Sequence, residues 1–217
     1  MEVVNERIGR FGFLERIGGA LIDPEITFNA IIKRGIGVGG AALTIIIFSI
    51  LEAVLLASTA TVILTRISAF LSEWFGFGLL SSSWLLWMLA PALIILNLIL
   101  SLLAWVILGG ITHLTAKYAF AGEGSYSEIL TLYGYGWSAR MPLLAGIIIS
   151  ILARNMFFLP FFAVISLAWM LIVWTAAVRV SHGIDFGRAF VSVFIMPLVV
   201  FALIGFGAFL ALGGLMG

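Results

Sequence analysis

Five long apolar runs leave this chain few ways to fold. They cover about Ile36–Leu64, Leu85–Leu108, Ile129–Ala153, Met156–Val180 and Ala189–Leu215. At about 1.5 Å of rise per residue, each is long enough to cross a hydrocarbon core about 30 Å thick as an α-helix. The rest of the composition agrees. Residues are 63% hydrophobic and 10% charged, where a soluble domain carries roughly 25% charged residues. Mean hydropathy is +1.25. No soluble fold could keep this much apolar surface dry. The expected fold class is all-α: a polytopic membrane protein, a bundle of five transmembrane helices with short N-terminal interfacial helices. Only Arg154-Asn155 separates the third run from the fourth, so these two form a tight antiparallel hairpin.

Residues 1–34 read as a cytosolic amphipathic segment ahead of the five-helix unit, residues 35–217. Val4, Ile8, Phe11 and Ile17 recur near helical spacing among Glu6, Arg7, Arg10, Glu15 and Arg16, which fits an interfacial helix. Gly9, Gly12, Gly18 and Gly19 weaken that helix. A second helix start is clearer. Asp23 can cap, Pro24 suits the first helical position and Glu25 favours the positive end. That helix should stop at Gly35, after Lys33-Arg34. Both signs of charge and a very long first apolar run argue against a cleaved signal peptide. Ser125 and Glu128 have capping-box spacing before the third run. Trp74, Trp84, Trp87 and Trp137 lie near span ends, as an aromatic belt requires.

Orientation follows from the basic residues. With the N-terminus inside, the inner side receives eight (Arg7, Arg10, Arg16, Lys33, Arg34, Lys117, Arg179, Arg188) and the outer side two (Arg66, Arg154). The N-terminus is therefore expected in the cytosol and the C-terminus outside or in a lumen. The host would be the cell membrane if the source is prokaryotic.

Several classes of chemistry lack their residues. Net charge is +1, so no basic field points to nucleic acid, and cysteine is absent. There is no G-x-S-x-G. The GIGVGG at 35–40 has no P-loop lysine after it and reads as close helix packing or a hinge. His113 and His182 fall on the cytosolic side without ligand spacing, so no metal or other cofactor is expected. No internal repeat supports an inverted-repeat transporter.

Three polar residues stand near the middle of three spans: Glu52, Asn97 and Arg140. A charge there costs roughly 2.5–3.5 kcal/mol on translocon scales. Glu52 and Arg140 are expected to approach each other with Asn97 nearby, either as an ion pair or with Glu52 protonated. Tyr133, Trp137 and Arg140 share a helical face, so a cation–π contact is expected. Pro142 cannot donate to the Ser138 carbonyl, which should leave an acceptor near the guanidinium. Gly134 and Ser138 form a small strip for another helix.

The stretch HLTAKYAFAGEGSYSEILTLYGYGWSARMP, residues 113–142, resembles the loop and third span of the Ypt-interacting protein (Yip) domain family, in its prokaryotic form. The resemblance lies in His113, Lys117, Gly122, Gly124, Ser125, Tyr126, Gly134, Tyr135 and Pro142. His182, Gly183, Arg188 and Ala189 are similar to the family's fourth loop, and DPEITF at 23–28 to the segment before its first span. It implies five spans, a cytosolic N-terminus and, from eukaryotic members, trafficking roles and a GTPase-like cytosolic partner; in prokaryotic members it implies no settled activity and no catalytic residues. The Asp-Leu-x-Gly-Pro element of eukaryotic members is absent; only Asp23-Pro24 stands in its neighbourhood.

The function expected is that of a non-enzymatic membrane organiser or adaptor. Its cytosolic face would be built from residues 1–34, 113–128 and 181–188, with His182, Arg188 and Tyr135 as structural hubs. The alternative is a small transporter or channel subunit using Glu52, Asn97 and Arg140. The expected partners are the lipid bilayer, a cytosolic protein and a second copy of the chain packed through small residues such as Gly205 and Gly207.

Overall fold

The structure, a computed structural model, describes residues 12–75 and 83–216. Val4, Ile8 and Phe11 lie outside the described residues, as do the side chains of Arg66, Trp84 and Trp87. Every element among the described residues is helical.

Two short helices come first, α1 (Phe13–Ile22) and α2 (Pro24–Lys33). Between them Asp23 caps α2, its Oδ1 accepting from the Ile26 amide at 3.2 Å. Gly35, at φ +62°, takes the left-handed turn that leads into the first span. That span is α3 (Val38–Phe75). The second is α4 (Ser83–Leu114), extended by a π-helical turn, Thr115–Ala119. The third is α5 (Tyr126–Gly136), a 3-10 turn (Trp137–Arg140) and α6 (Met141–Leu152). The fourth is α7 (Phe158–His182), and the fifth joins α8 (Phe186–Phe190) through a π-helical turn to α9 (Met196–Met216). Among the described residues five stretches are long and apolar enough to cross a membrane: Val38–Thr59, Ala90–Ala119, Tyr126–Leu152, Phe158–His182 and Phe186–Gly207. The chain is a multi-pass membrane protein whose outer faces contact lipid.

Helix ends depart from the ends of the apolar runs. α3 continues past Leu64, and the second span continues past Leu108 through Gly109 and Gly110. Hydropathy reports where a chain is apolar, whereas a helix stops where its backbone hydrogen bonds stop. Gly109 lies against Leu130, Ile129 and Tyr126, so protein packing carries α4 onward. The third span starts at its capping box: Glu128 N donates to Ser125 Oγ at 3.2 Å, and Ser125 N to Glu128 Oε2 at 2.8 Å.

The third span is the centre of the bundle. Residues 131–139 are buried without interruption, between α3, α4 and α7 and beneath α1. Gly134 permits the closest approach. A Cβ there would collide with Ala41 of α3, so these two helices meet backbone to backbone. α2 leans on α7, where Glu25 pairs with Arg179. The fifth span sits at the edge, with Phe201, Leu203, Ile204 and Phe206 turned outward.

Candidate functional site

Arg140 closes the 3-10 turn and Glu52 faces it from α3. Arg140 Nη1 lies 2.8 Å from Glu52 Oε2, with the two side chains 25% and 6% exposed. No hydrogen bond of good geometry reaches that oxygen, so the contact is chiefly a Coulombic pair. The guanidinium also lies 5.1 Å from the centroid of the Trp137 ring, a cation–π distance. Asn97 belongs to the same neighbourhood but not to the pair. Its Nδ2 donates to the Ser49 carbonyl at 2.9 Å, one helical turn before Glu52.

The chain corrects one expectation here. The Ser138 carbonyl is not left for the guanidinium. Because Pro142 has no N–H, the backbone tightens to 3-10 geometry and Ser138 O accepts from Met141 N instead. The Ser138 hydroxyl turns back to Tyr135 O at 2.8 Å. Trp137 is likewise no belt residue. It is buried inside the bundle because the third span is enclosed by its neighbours at that depth.

From Trp137 a column of rings leads to the end of the bundle that carries α1, α2 and the 120–125 turn. Trp137 meets Trp174 of α7 at 5.8 Å, and Trp174 stacks on Tyr133 at 4.5 Å with 9° between the planes. The Tyr133 hydroxyl donates to Thr112 Oγ1 at 3.0 Å. Both indole N–H groups are buried without an acceptor, so the stacking is set against a desolvation cost of about 1–3 kcal/mol for each.

Beyond Thr112 stands a histidine pair. His113 Nδ1 and His182 Nε2, from α4 and α7, are 3.1 Å apart. Their tautomers follow from the surrounding partners. The Ser181 hydroxyl donates to Ala177 O at 2.8 Å. With the hydroxyl so engaged we assign His182 Nδ1 as the donor to its oxygen at 2.9 Å, which leaves His182 Nε2 to accept from His113 Nδ1–H. Both rings are neutral in this arrangement. His182 is 2% exposed, while His113 is half-buried with its ring 5.7 Å from Tyr126. Two imidazoles sharing one proton do not make a metal cage. Among the described residues no three His, Cys, Asp or Glu side chains gather to hold an ion.

The 120–125 turn is moulded onto this pair. A Cβ at Gly122 would sit 2.7 Å from His182 Cβ, and one at Gly124 2.8 Å from His182 Nδ1. Glu123 N donates to His182 O at 3.2 Å and Gly122 N to Ala116 O at 2.9 Å.

The other motif residues are spread out. Tyr135 is buried beneath α1, where Arg16 Nη1 donates to its hydroxyl at 2.7 Å and the Phe13 ring lies 6.4 Å away. Gly134 packs on Ala41, and Pro142 opens α6. Arg188 is exposed and pairs only locally, Nε to Asp185 Oδ2 at 3.0 Å, within α8 and its cap. It does not join His182. Gly205 and Gly207 face open space. Sequence reading missed the histidine contact and the Tyr133–Trp174 stack. The one available signal was the pair of glycines, Gly122 and Gly124, between two histidine-bearing helix ends.

A family model described as the Yip1 domain matches residues 18–209. No curated protein and no solved structure matches the chain.

Proposed function

The chain belongs to the Yip1 domain family, and from that premise we propose that it is a non-enzymatic membrane adaptor. Residues 1–34, the 113–128 region and the 181–188 loop form its cytosolic docking face ahead of, and upon, the membrane unit 35–217. The partner is a cytosolic protein of the small-GTPase kind, as the family's trafficking roles imply. The reading is carried by one observation: the loops and short helices with most of the described charges gather at one end and are fastened there. Glu25 pairs with Arg179, Arg16 with Tyr135, and His113 with His182.

The transport reading draws on the mid-span residues, and their chemistry argues against it. Glu52 and Arg140 neutralise each other as an ion pair, and Asn97 donates to a backbone carbonyl. The neighbouring recess of about 450 Å³ is lined mostly by apolar side chains, among them Leu56, Leu93, Leu96 and Leu100, with Asn97 and Thr59 its polar members. That lining suits a lipid chain rather than a hydrated ion.

The test uses a photo-crosslinking amino acid at Glu123 or Phe186, both exposed at this end, and at Leu152 at the other. In native membranes the first two should capture a discrete protein partner and the third should not. Liposomes holding the purified chain should show no proton or ion flux. A flux lost in Glu52→Gln would replace the adaptor with a transporter.

A further inference from the structure

We propose that the His113–His182 pair is a proton-operated latch: it holds the 120–125 turn against the end of the bundle and releases it on acidification. The inference stands on the geometry of the pair and turn, whichever partner the face serves.

The turn depends on the position of His182. A methyl group at Gly122 would meet His182 Cβ and the ring Cδ2, and one at Gly124 the Ser181 carbonyl and His182 Nδ1, while the Glu123 amide bonds the His182 carbonyl. The turn also holds Ala121 at φ +55°, in the left-handed region that a residue with a Cβ avoids. A backbone kept there by its surroundings relaxes when they loosen.

Proton counting sets the direction. At rest one proton lies between the rings, donated by His113 Nδ1 to the lone pair of His182 Nε2. A first added proton can go to His113 Nε2, which makes no hydrogen bond within the described residues, and the contact survives as a charge-assisted bond. A proton on His182 Nε2 cannot be accommodated while His113 Nδ1 carries its own, because two donors then face each other 3.1 Å apart. The rings must part, and the edge of the His182 ring that packs on the turn, Cδ2 toward Gly122 and Nδ1 toward Gly124, moves away from both glycines.

The charges around the pair bias this step without replacing it. Lys117, one turn beyond His113 on the second span, lies within electrostatic reach of both rings and opposes added charge. Glu128, from the third span, favours charge on His182. Tyr126 contributes a ring face to His113 and Glu123 an exposed carboxylate on the turn itself. On α7, Arg179 is engaged by Glu25; beyond it, Asp185 is engaged by Arg188. Histidine is the side chain whose charge ordinarily changes near pH 6, and burial away from water moves that change to lower pH.

The chain has no cysteine, so a single nitroxide can be placed without background at Glu123→Cys, and another in a separate sample at Leu152→Cys. The protein is held in lipid nanodiscs and its spectra are followed from about pH 8 to about pH 4, because a buried histidine takes its proton well below the ordinary range. The mobile component at position 123 should rise several-fold and revert on neutralisation, while position 152 stays unchanged. His113→Asn in the Glu123→Cys background should flatten the profile, because an amide can turn to donate or accept and so keeps the bond in both protonation states. An invariant spectrum at position 123 overturns the latch. So does an equal change at both positions, which means general unfolding, or a wild-type response in His113→Asn. Should that variant not fold, the profile at positions 123 and 152 still decides the matter.

Discussion

Arg140 and Glu52 illustrate how much a single residue depends on its partner inside a membrane. Each charge is tolerated because the other is 2.8 Å away. Arg140→Leu should therefore cost about 3 kcal/mol, the lower end of the range for breaking a buried pair, since part of the guanidinium is exposed. The double variant Glu52→Leu/Arg140→Leu should recover most of that loss. Denaturant unfolding in micelles measures both, and a double variant as unstable as the single would mean that the pair does more than neutralise itself. All three mid-span polar residues are legible as charges or amides in apolar runs. Their partners are not. Asn97 bonds the Ser49 carbonyl rather than the pair, because a helix rotation of a few tens of degrees decides which neighbour a short side chain meets.

At the scale of helices, close packing is local and testable. Gly134 touches Ala41, so Gly134→Ile must push α3 and α5 apart and should cost about 1–3 kcal/mol as overpacking. Gly205→Ile meets open space and should change stability by under about 0.5 kcal/mol. Thermal unfolding separates the two. A change of oligomeric state in Gly205→Ile would point to a second copy seated on the fifth span. Helix starts were readable where a cap defines them, at Asp23 and at Ser125. The 3-10 turn at Trp137–Arg140 was half readable. Pro142 announces a missing donor, but how the backbone closes the gap depends on the enclosure of Trp137 and Ser138 on every side.

For the molecule as a whole, the proposed orientation places the 120–125 turn in the cytosol. An impermeant maleimide added to intact cells should label Leu152→Cys and leave Glu123→Cys unlabelled until the membrane is opened; the reverse pattern would invert the topology. That the described residues of this chain include five stretches long and apolar enough to cross a membrane was determined by its sequence alone. The reason is that an apolar run of about 20 residues and the need to bond its own backbone are local properties. Short motifs in residues 113–142 and 182–189 likewise carried the family. Which helices touch, and through which faces, was decided only by the tertiary structure. His113 meets His182 across 69 positions, and Tyr133 stacks on a tryptophan from another span. Lipid is as apolar as leucine, so helices that are apolar all round carry no stripe to tell the inward face from the outward one. Burial, stacking and the histidine contact come from a packing that hydropathy does not encode.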